Sequence, residues 1–180
     1  MILGLDVSTS KTGWCLLNSD GSLHGMGCVT LASGDLFEKS DQLSAALTLI
    51  LREVKDEVEI VIEEPLLRFA RGMSSASTLL TLNRFNGMVT QMCWTSLGTK
   101  ATHLNVIFAR RRLGIKKEKS ENVKEVVMRW VAADVPDHPW PTKVVKRGKS
   151  AGMTVFEPTC FDVADAYVIA RAHHASRVKR

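Results

Sequence analysis

The stretch that most constrains this chain is its first, Met1-Ile-Leu-Gly-Leu-Asp6-Val-Ser-Thr-Ser-Lys-Thr-Gly13-Trp-Cys-Leu-Leu17. Ile2, Leu3 and Leu5 make a strand suited to burial on both faces. It ends in a lone carboxylate, Asp6, and an ionised carboxylate in apolar surroundings is costly unless something positive offsets it. Ser8, Thr9, Ser10 and Gly13 then let the chain reverse into a second hydrophobic strand. Taken alone, Asp6 could simply cap its strand, so the weight of the motif depends on whether other acids join it.

The chain reads as a single domain over residues 1–180, and 45% hydrophobic residues give it a substantial core. Its N-terminus opens directly on a strand pattern, so neither a signal peptide nor a transit segment is expected, and no run has the length of a membrane span. Cys15, Cys28, Cys93 and Cys160 lack the close paired spacing of a zinc site or disulfide framework and are expected as reduced residues of a cytoplasmic protein. Charge is unevenly spread. Residues 105–150 hold twelve Lys/Arg and five Asp/Glu (12 − 5 = +7), whereas the remainder sums to (24 − 12) − (19 − 5) = −2. A basic half beside a slightly acidic half suggests a surface facing a polyanion and a separate carboxylate site.

Along the chain, Thr12–Asn18 reads as the second strand, Ser19-Asp20-Gly21-Ser22 as a hairpin turn and Leu23–Leu31 as the third strand. Asp35–Glu57 has helical spacing through Leu36, Leu43, Leu47, Ile50 and Val54. Val58-Glu-Ile-Val-Ile-Glu63-Glu64-Pro65 is again a β-branched strand that delivers acids at its C-terminal end. Leu66–Met73 is expected as a loop carrying Arg68, Phe69 and Arg71, followed by a helix over Ser74–Ser96. A fifth strand over Ala101–Val106, an Arg-rich helical turn over Ile107–Gly114 and a helix capped by Ser120 come next. Pro136–Pro158 shows no clear period and reads as a long basic surface loop, before a last helix from about Thr159. Three antiparallel strands followed by alternating strands and helices imply an α/β fold, a mixed five-stranded sheet with helices on both faces.

If the first and fourth strands are parallel neighbours, Asp6 and Glu63 meet at one sheet edge, where open α/β sheets place their sites. Asp162 and Asp165 lie three residues apart and project from one helix face. Singly, each acid has an ordinary role as a cap, a solvated first-turn residue or a polar strand end. Jointly, four converging carboxylates repel unless cations separate them, and oxygen-only ligation points to Mg²⁺ or Mn²⁺. Two such ions about 4 Å apart would suit phosphodiester hydrolysis. Glu64 competes with Glu63 for the ligand role, because adjacent strand residues face opposite ways.

Ile2-Leu-Gly-Leu-Asp6 with Gly13-Trp14, Val61-Ile-Glu63-Glu64, Glu118-Lys119-Ser120 and Asp162-Val-Ala-Asp165-Ala-Tyr together resemble the RuvC-type Holliday-junction resolvases of the ribonuclease H-like superfamily. The resemblance runs in order over nearly the whole chain. It implies a ribonuclease H-like fold, a homodimer, branched DNA (a four-way junction) as partner, and two Mg²⁺ ions per active site, with Mn²⁺ able to substitute. By the resemblance Asp6, Glu63, Asp162 and Asp165 are the metal-binding catalytic acids, and Lys119 matches a lysine beside the scissile phosphate. The helix over residues 74–96 matches the dimerisation region, with Leu79, Leu82, Phe85 and Val89 as candidate interface. The aromatic that family members insert at the junction would fall near Leu66, so Phe69 is the alternative for base unstacking. The Pro136–Gly152 segment is longer and more basic than usual, as in a phage or mobile-element relative.

DNA contacts are expected from Arg68, Phe69, Arg71, Arg110, Arg111, Arg112, Lys116, Lys117, Lys146, Arg147 and Lys149, with Trp140 a candidate for stacking on a base. Neither a membrane nor a small-molecule cofactor is expected. Other readings remain. One is a related metal-dependent nuclease acting on flaps, branched replication intermediates or RNA–DNA hybrids. Another is a non-catalytic ribonuclease H-like module that only grips DNA, which would be expected to lack one of the acids. The Asp6–Gly13 turn also resembles the first phosphate loop of actin-like sugar kinases, but those need a second domain and a further Gly-rich loop.

Overall fold

The computed structural model describes residues 1–32, 34–65, 75–148 and 151–177. The expectations at Leu66, Arg68, Phe69, Arg71 and Lys149 lie outside them. The opening motif forms β1 (Ile2–Val7) and β2 (Lys11–Leu17), antiparallel and in register from Ile2 opposite Leu17 to Asp6 opposite Gly13. β3 (Leu23–Thr30) continues the antiparallel arm. β4 (Glu59–Glu63) and β5 (Thr102–Leu104) add in parallel on the other side of β1, giving the order β3-β2-β1-β4-β5. This is the mixed α/β sheet implied by the strand order.

Alternation decides which residues meet which layer. Leu3, Leu5, Leu16, Ile60 and Ile62 face one side, where they pack with Leu43 and Leu47 of α1 (Leu36–Leu51) and Phe85, Val89 and Met92 of α2 (Ala76–Leu97). Ile2, Cys15, Leu17 and Val61 face the other side and pack against α5 (Pro158–Arg177). α5 is buried from Val163 through Ala170, because α3 (Val106–Arg112) and α4 (Val123–Asp134) cover its outer face. A helix apolar all round needs such enclosure. Leu43, Leu47, Phe85 and Val89 are fully buried, so truncating any of them to Ala would cost on the order of 2–5 kcal/mol.

Several boundaries differ from the sequence expectation for local reasons. α1 begins where Asp35 caps it in a capping box with Glu38, but it stops at Leu51 rather than Glu57. The chain from Arg52 to Val58 is instead spent returning to the sheet, where the amino terminus donates to Glu57 O at 2.6 Å. Ser120 does not cap α4. Asn122 does, accepting from the Lys124 amide at 3.0 Å, while Ser120 lies in a turn closed by Glu118 and Glu121.

The segment expected as a featureless loop contains a hairpin, β6 (Thr142–Val144) and β7 (Thr154–Phe156). Trp140 anchors it rather than projecting from it. The indole meets His138 edge-on at 4.5 Å and Phe156 at 6.4 Å, and its Nε1 is buried with no partner among the described residues. The ring as a whole is half-buried, held on the core side by these contacts. On α2, Phe85 and Val89 pack into the core on the sheet and Leu79 is buried, so of the stripe expected at a dimer interface only the half-buried Leu82 is left partly open.

Candidate active site

The parity that sends Ile2 and Gly4 toward α5 sends Asp6 the same way, and Glu63 follows Val61. The parallel pairing Leu5–Ile62, carried one step further, sets Asp6 beside Glu63 at the C-terminal edge of both strands. Glu64 has the opposite parity and accepts from Asn105 Nδ2 at 3.0 Å. The structure therefore places Glu63, not Glu64, with Asp6.

α5 brings the other two acids, and glycine lets it come close. A Cβ on Gly13 would collide with the main-chain carbonyl of Asp162, and one on Gly4 would stand 2.5 Å from Ala166 O. The helix thus lies directly on the backbone of β1 and β2, which sets Asp162 and Asp165 over Asp6.

Crowding shows in the electrostatics. Burial is the main cause that pushes the Asp6 carboxyl well above the usual carboxylate range, reinforced by Glu63, Asp165 and Asp162. Glu63 is pushed up to about 7, first by burial and then by the charge of Asp165, with Arg110, a hydrogen bond from the Asp6 carboxyl and Lys124 acting against the rise. Asp162 is raised by burial while Lys124 and Lys11 oppose. Asp6 thus feels the charge of the other three acids expected from the sequence, and Glu63 and Asp162 both feel that of Asp165.

Their chemistry fits a hard divalent cation: the donors are oxygen only, and their negative charge is poorly compensated by the protein. They are not drawn together as a finished ligand set. No three His, Cys, Asp or Glu side chains among the described residues stand as metal ligands do. Asp165, buried, accepts instead from Arg110 Nη2 at 3.0 Å, while Asp6 and Glu63 hydrogen-bond each other. A guanidinium supplies part of the positive charge that the cluster requires.

The expected DNA contacts divide accordingly. Arg110 points inward at the acids. Arg112 donates to Ala175 O at 2.9 Å and so ties α3 to the C-terminal turn of α5. Arg111, Lys116 and Lys117 are exposed on the α3–α4 side, and Lys146 and Arg147 are exposed at the tip of the β6–β7 hairpin. The hairpin is fastened next to the acids: Glu157 N donates to Pro141 O at 2.9 Å, immediately before α5 begins. Lys119 is exposed in the α3–α4 turn.

Two contributors were not singled out from sequence. Lys124, in the first turn of α4, is the lysine whose charge offsets Asp6, Glu63 and Asp162. Only its place just after an N-cap could have drawn attention to it. Asn86 is buried in α2, donates to Glu63 O at 3.2 Å and bonds His103 Nε2 through its Oδ1 at 3.0 Å. It braces the strand end that carries Glu63. Its signal is an amide falling on an otherwise apolar helical stripe.

No family model and no curated protein matches the sequence. Solved structures do match the fold. Thermus thermophilus RuvC in complex with a Holliday junction substrate superposes with a TM-score of 0.62 at 16% identity, covering 98% of this chain and 94% of that one. A second T. thermophilus RuvC structure gives 0.60 at 17% identity, over 99% and 96%. The yeast mitochondrial Holliday junction resolvase Ydc2 gives 0.58 at 15% identity, over 99% and 80%. The chain has the fold of the RuvC-type resolvases over nearly its full length.

Proposed function

We propose that this protein is a divalent-metal-dependent endonuclease that resolves four-way DNA junctions. The observation that carries the reading is the convergence of Asp6, Glu63, Asp162 and Asp165 at one sheet edge of a fold shared with junction resolvases. A module that only grips DNA has no use for acids gathered where burial, and then one another's charge, disfavours their ionised forms.

Asp6, Glu63, Asp162 and Asp165 would hold the metal, Mg²⁺ or Mn²⁺, two ions per site. Bound there, divalent ions would activate water and stabilise the leaving oxygen of the phosphodiester. The remaining work belongs to the chain's own cations. Arg110 holds Asp165 in place and brings positive charge to the edge of the site. Lys124, whose charge acts on the same acids, would meet charge developing on the scissile phosphate. Arg111, Lys116, Lys117, Lys146 and Arg147 supply salt-sensitive affinity for the DNA backbone without reading its sequence.

Two symmetric incisions require two sites, which a two-fold homodimer supplies. The free face of α2 suits this: Leu80, Arg84, Gly87, Gln91 and Trp94 form an exposed stripe at heptad spacing, with Leu80 64% and Trp94 50% exposed. A bacterial or phage-infected cytoplasm suits its unpaired thiols, and among the described residues no helix is long and apolar enough to cross a membrane.

The deciding experiment is cleavage of a synthetic four-way junction against a linear duplex, with Mg²⁺ and with chelator. Paired nicks near the branch point that need the metal are expected. Equal cutting of linear duplex would remove the junction assignment, and preferential cutting of flaps or RNA–DNA hybrids would move it to those substrates.

A further inference from the structure

Beside the acids lies a second concavity that their chemistry does not use. α3 ends at Gly114, whose φ of +71° is the left-handed conformation that glycine adopts readily. The turn it makes is closed by Gly114 N to Arg111 O at 3.1 Å and Ile115 N to Arg110 O at 2.9 Å. The chain therefore folds back along α3 and leaves a cavity of about 550 Å³ between α3, this turn and α4. Its floor is apolar, with Ile107, Ile115 and Val126 among the lining residues. Its rim is cationic, with Arg111, Lys116 and Lys117. Its fourth cation is Arg110, the residue bonded to Asp165. Arg110 Nε is buried and has no acceptor among the described residues, so a donor beside this cavity lacks its partner.

These features select an occupant. A bare phosphate would need cations but no apolar floor. An apolar side chain of a protein would need the floor but would gain nothing from the three unmatched positive charges of Arg111, Lys116 and Lys117. A nucleotide needs both, since its base offers an uncharged face for burial and its phosphodiester offers charge. Bases inside a continuous duplex cannot reach such a recess, but unstacking is least costly where pairing is already interrupted. Resting on the junction-nuclease reading, we propose that this cavity receives an unstacked nucleotide of the DNA strand adjoining the phosphate to be cut. Arg110 would then link base capture to the acid cluster.

The test is a cycle between the base and the cavity floor, measured as junction binding in chelator so that no strand is cut. Abasic nucleotides are placed one at a time on either side of the branch point. Wild type is compared with Ile107→Ser/Ile115→Ser and with Ile107→Ser alone, the latter at a residue 64% exposed and so not needed for folding. We expect one abasic position to weaken wild-type binding about tenfold, as for loss of a stacked base, and to leave the variants unaffected. Equal abasic penalties in wild type and variants, or none in either, would overturn the cavity assignment while leaving the junction reading intact. A variant that loses self-association in sedimentation but keeps the wild-type base scan would assign the cavity to a protein contact instead. Binding of junction no tighter than linear duplex by wild type would overturn the functional reading itself, and this inference with it.

Discussion

Glu63 and Glu64 are adjacent, chemically identical and separated only by strand parity. Glu63 shares its face with Val61 and reaches Asp6; Glu64 accepts from Asn105 on another surface. Glu63→Gln is expected to lower cleavage of a junction by at least a hundredfold, and Glu64→Gln by less than tenfold, in single-turnover assays; the reverse ranking would mean that the site lies on the other face. The two lysines separate in the same manner. Lys119 is the one matched by motif, yet Lys124 is the one whose charge reaches three of the acids. Lys124→Ala should lower turnover at saturating DNA by about a hundredfold with little change in affinity, as for loss of one positioned transition-state partner. Lys119→Ala should chiefly weaken binding. A turnover loss confined to Lys119→Ala would restore the motif assignment. Asp6 and Glu63 are legible in sequence because each closes a hydrophobic strand where an acid has no local use. The inward turn of Arg110 is not legible, since three consecutive arginines look alike until α3 is laid on α5.

At the scale of elements, the close seating of α5 on β1 and β2 determines whether the acids meet at all. A methyl group at Gly13 would strike the Asp162 carbonyl, and backbone cannot step aside as a side chain can. Gly13→Ala should destabilise by about 1–3 kcal/mol, a drop of several degrees in thermal midpoint, and should lower cleavage even where the protein remains folded. An unchanged midpoint would show that the helix sits farther out. The other face of the sheet sets the second expectation. With Leu79, Phe85 and Val89 buried, the proposed two-fold contact would fall to Leu80 and Trp94, flanking Gly87, where an added Cβ meets nothing within 4 Å. An exposed mid-helix glycine costs about 1 kcal/mol relative to alanine, which close approach of a second helix would offset. Light scattering should report a dimer for wild type and a monomer for Leu80→Glu/Trp94→Glu; a dimer that survives both changes lies elsewhere. The amphipathic pattern of α2 is plain in sequence, but which of two stripes is the inner one is decided by packing. The β6–β7 hairpin is hidden for a different reason. Its strands are three residues long and largely exposed, so no burial alternation marks them, and its anchor, Trp140 on Phe156, joins residues whose contact only the fold creates.

Across the whole molecule, the order of strands and helices is readable because a mixed sheet covered on both sides demands continuous apolar strands, and β1, β2 and β4 have them. The chain cannot be read for how much stability the site removes from the fold, and there the raised acids give a sign. A carboxyl whose folded pKa lies above its unfolded value keeps its proton in the folded state while losing it in the unfolded one. Glu63, moved from 4.5 to about 7, does this between those two values, and Asp6 shifts in the same direction. The unfolded state then binds fewer protons, so stability without divalent metal should fall as pH rises through that window, with the share due to Glu63 complete above about 7. Metal binds the deprotonated carboxylates, so it should restore stability, and more at pH 8 than at pH 5. Thermal unfolding in chelator across this range should show the midpoint dropping by several degrees, with Mg²⁺ recovering most of the loss at the alkaline end. Glu63→Gln replaces the titrating group by a neutral one of the same shape. It should raise the chelator midpoint at pH 8 and blunt the response to Mg²⁺, while the midpoint at pH 5 stays close to wild type. A wild-type midpoint indifferent to pH between 5 and 8 in chelator would mean that the four acids are already neutralised by the protein's own cations, and the case for metal at this edge would fail with it.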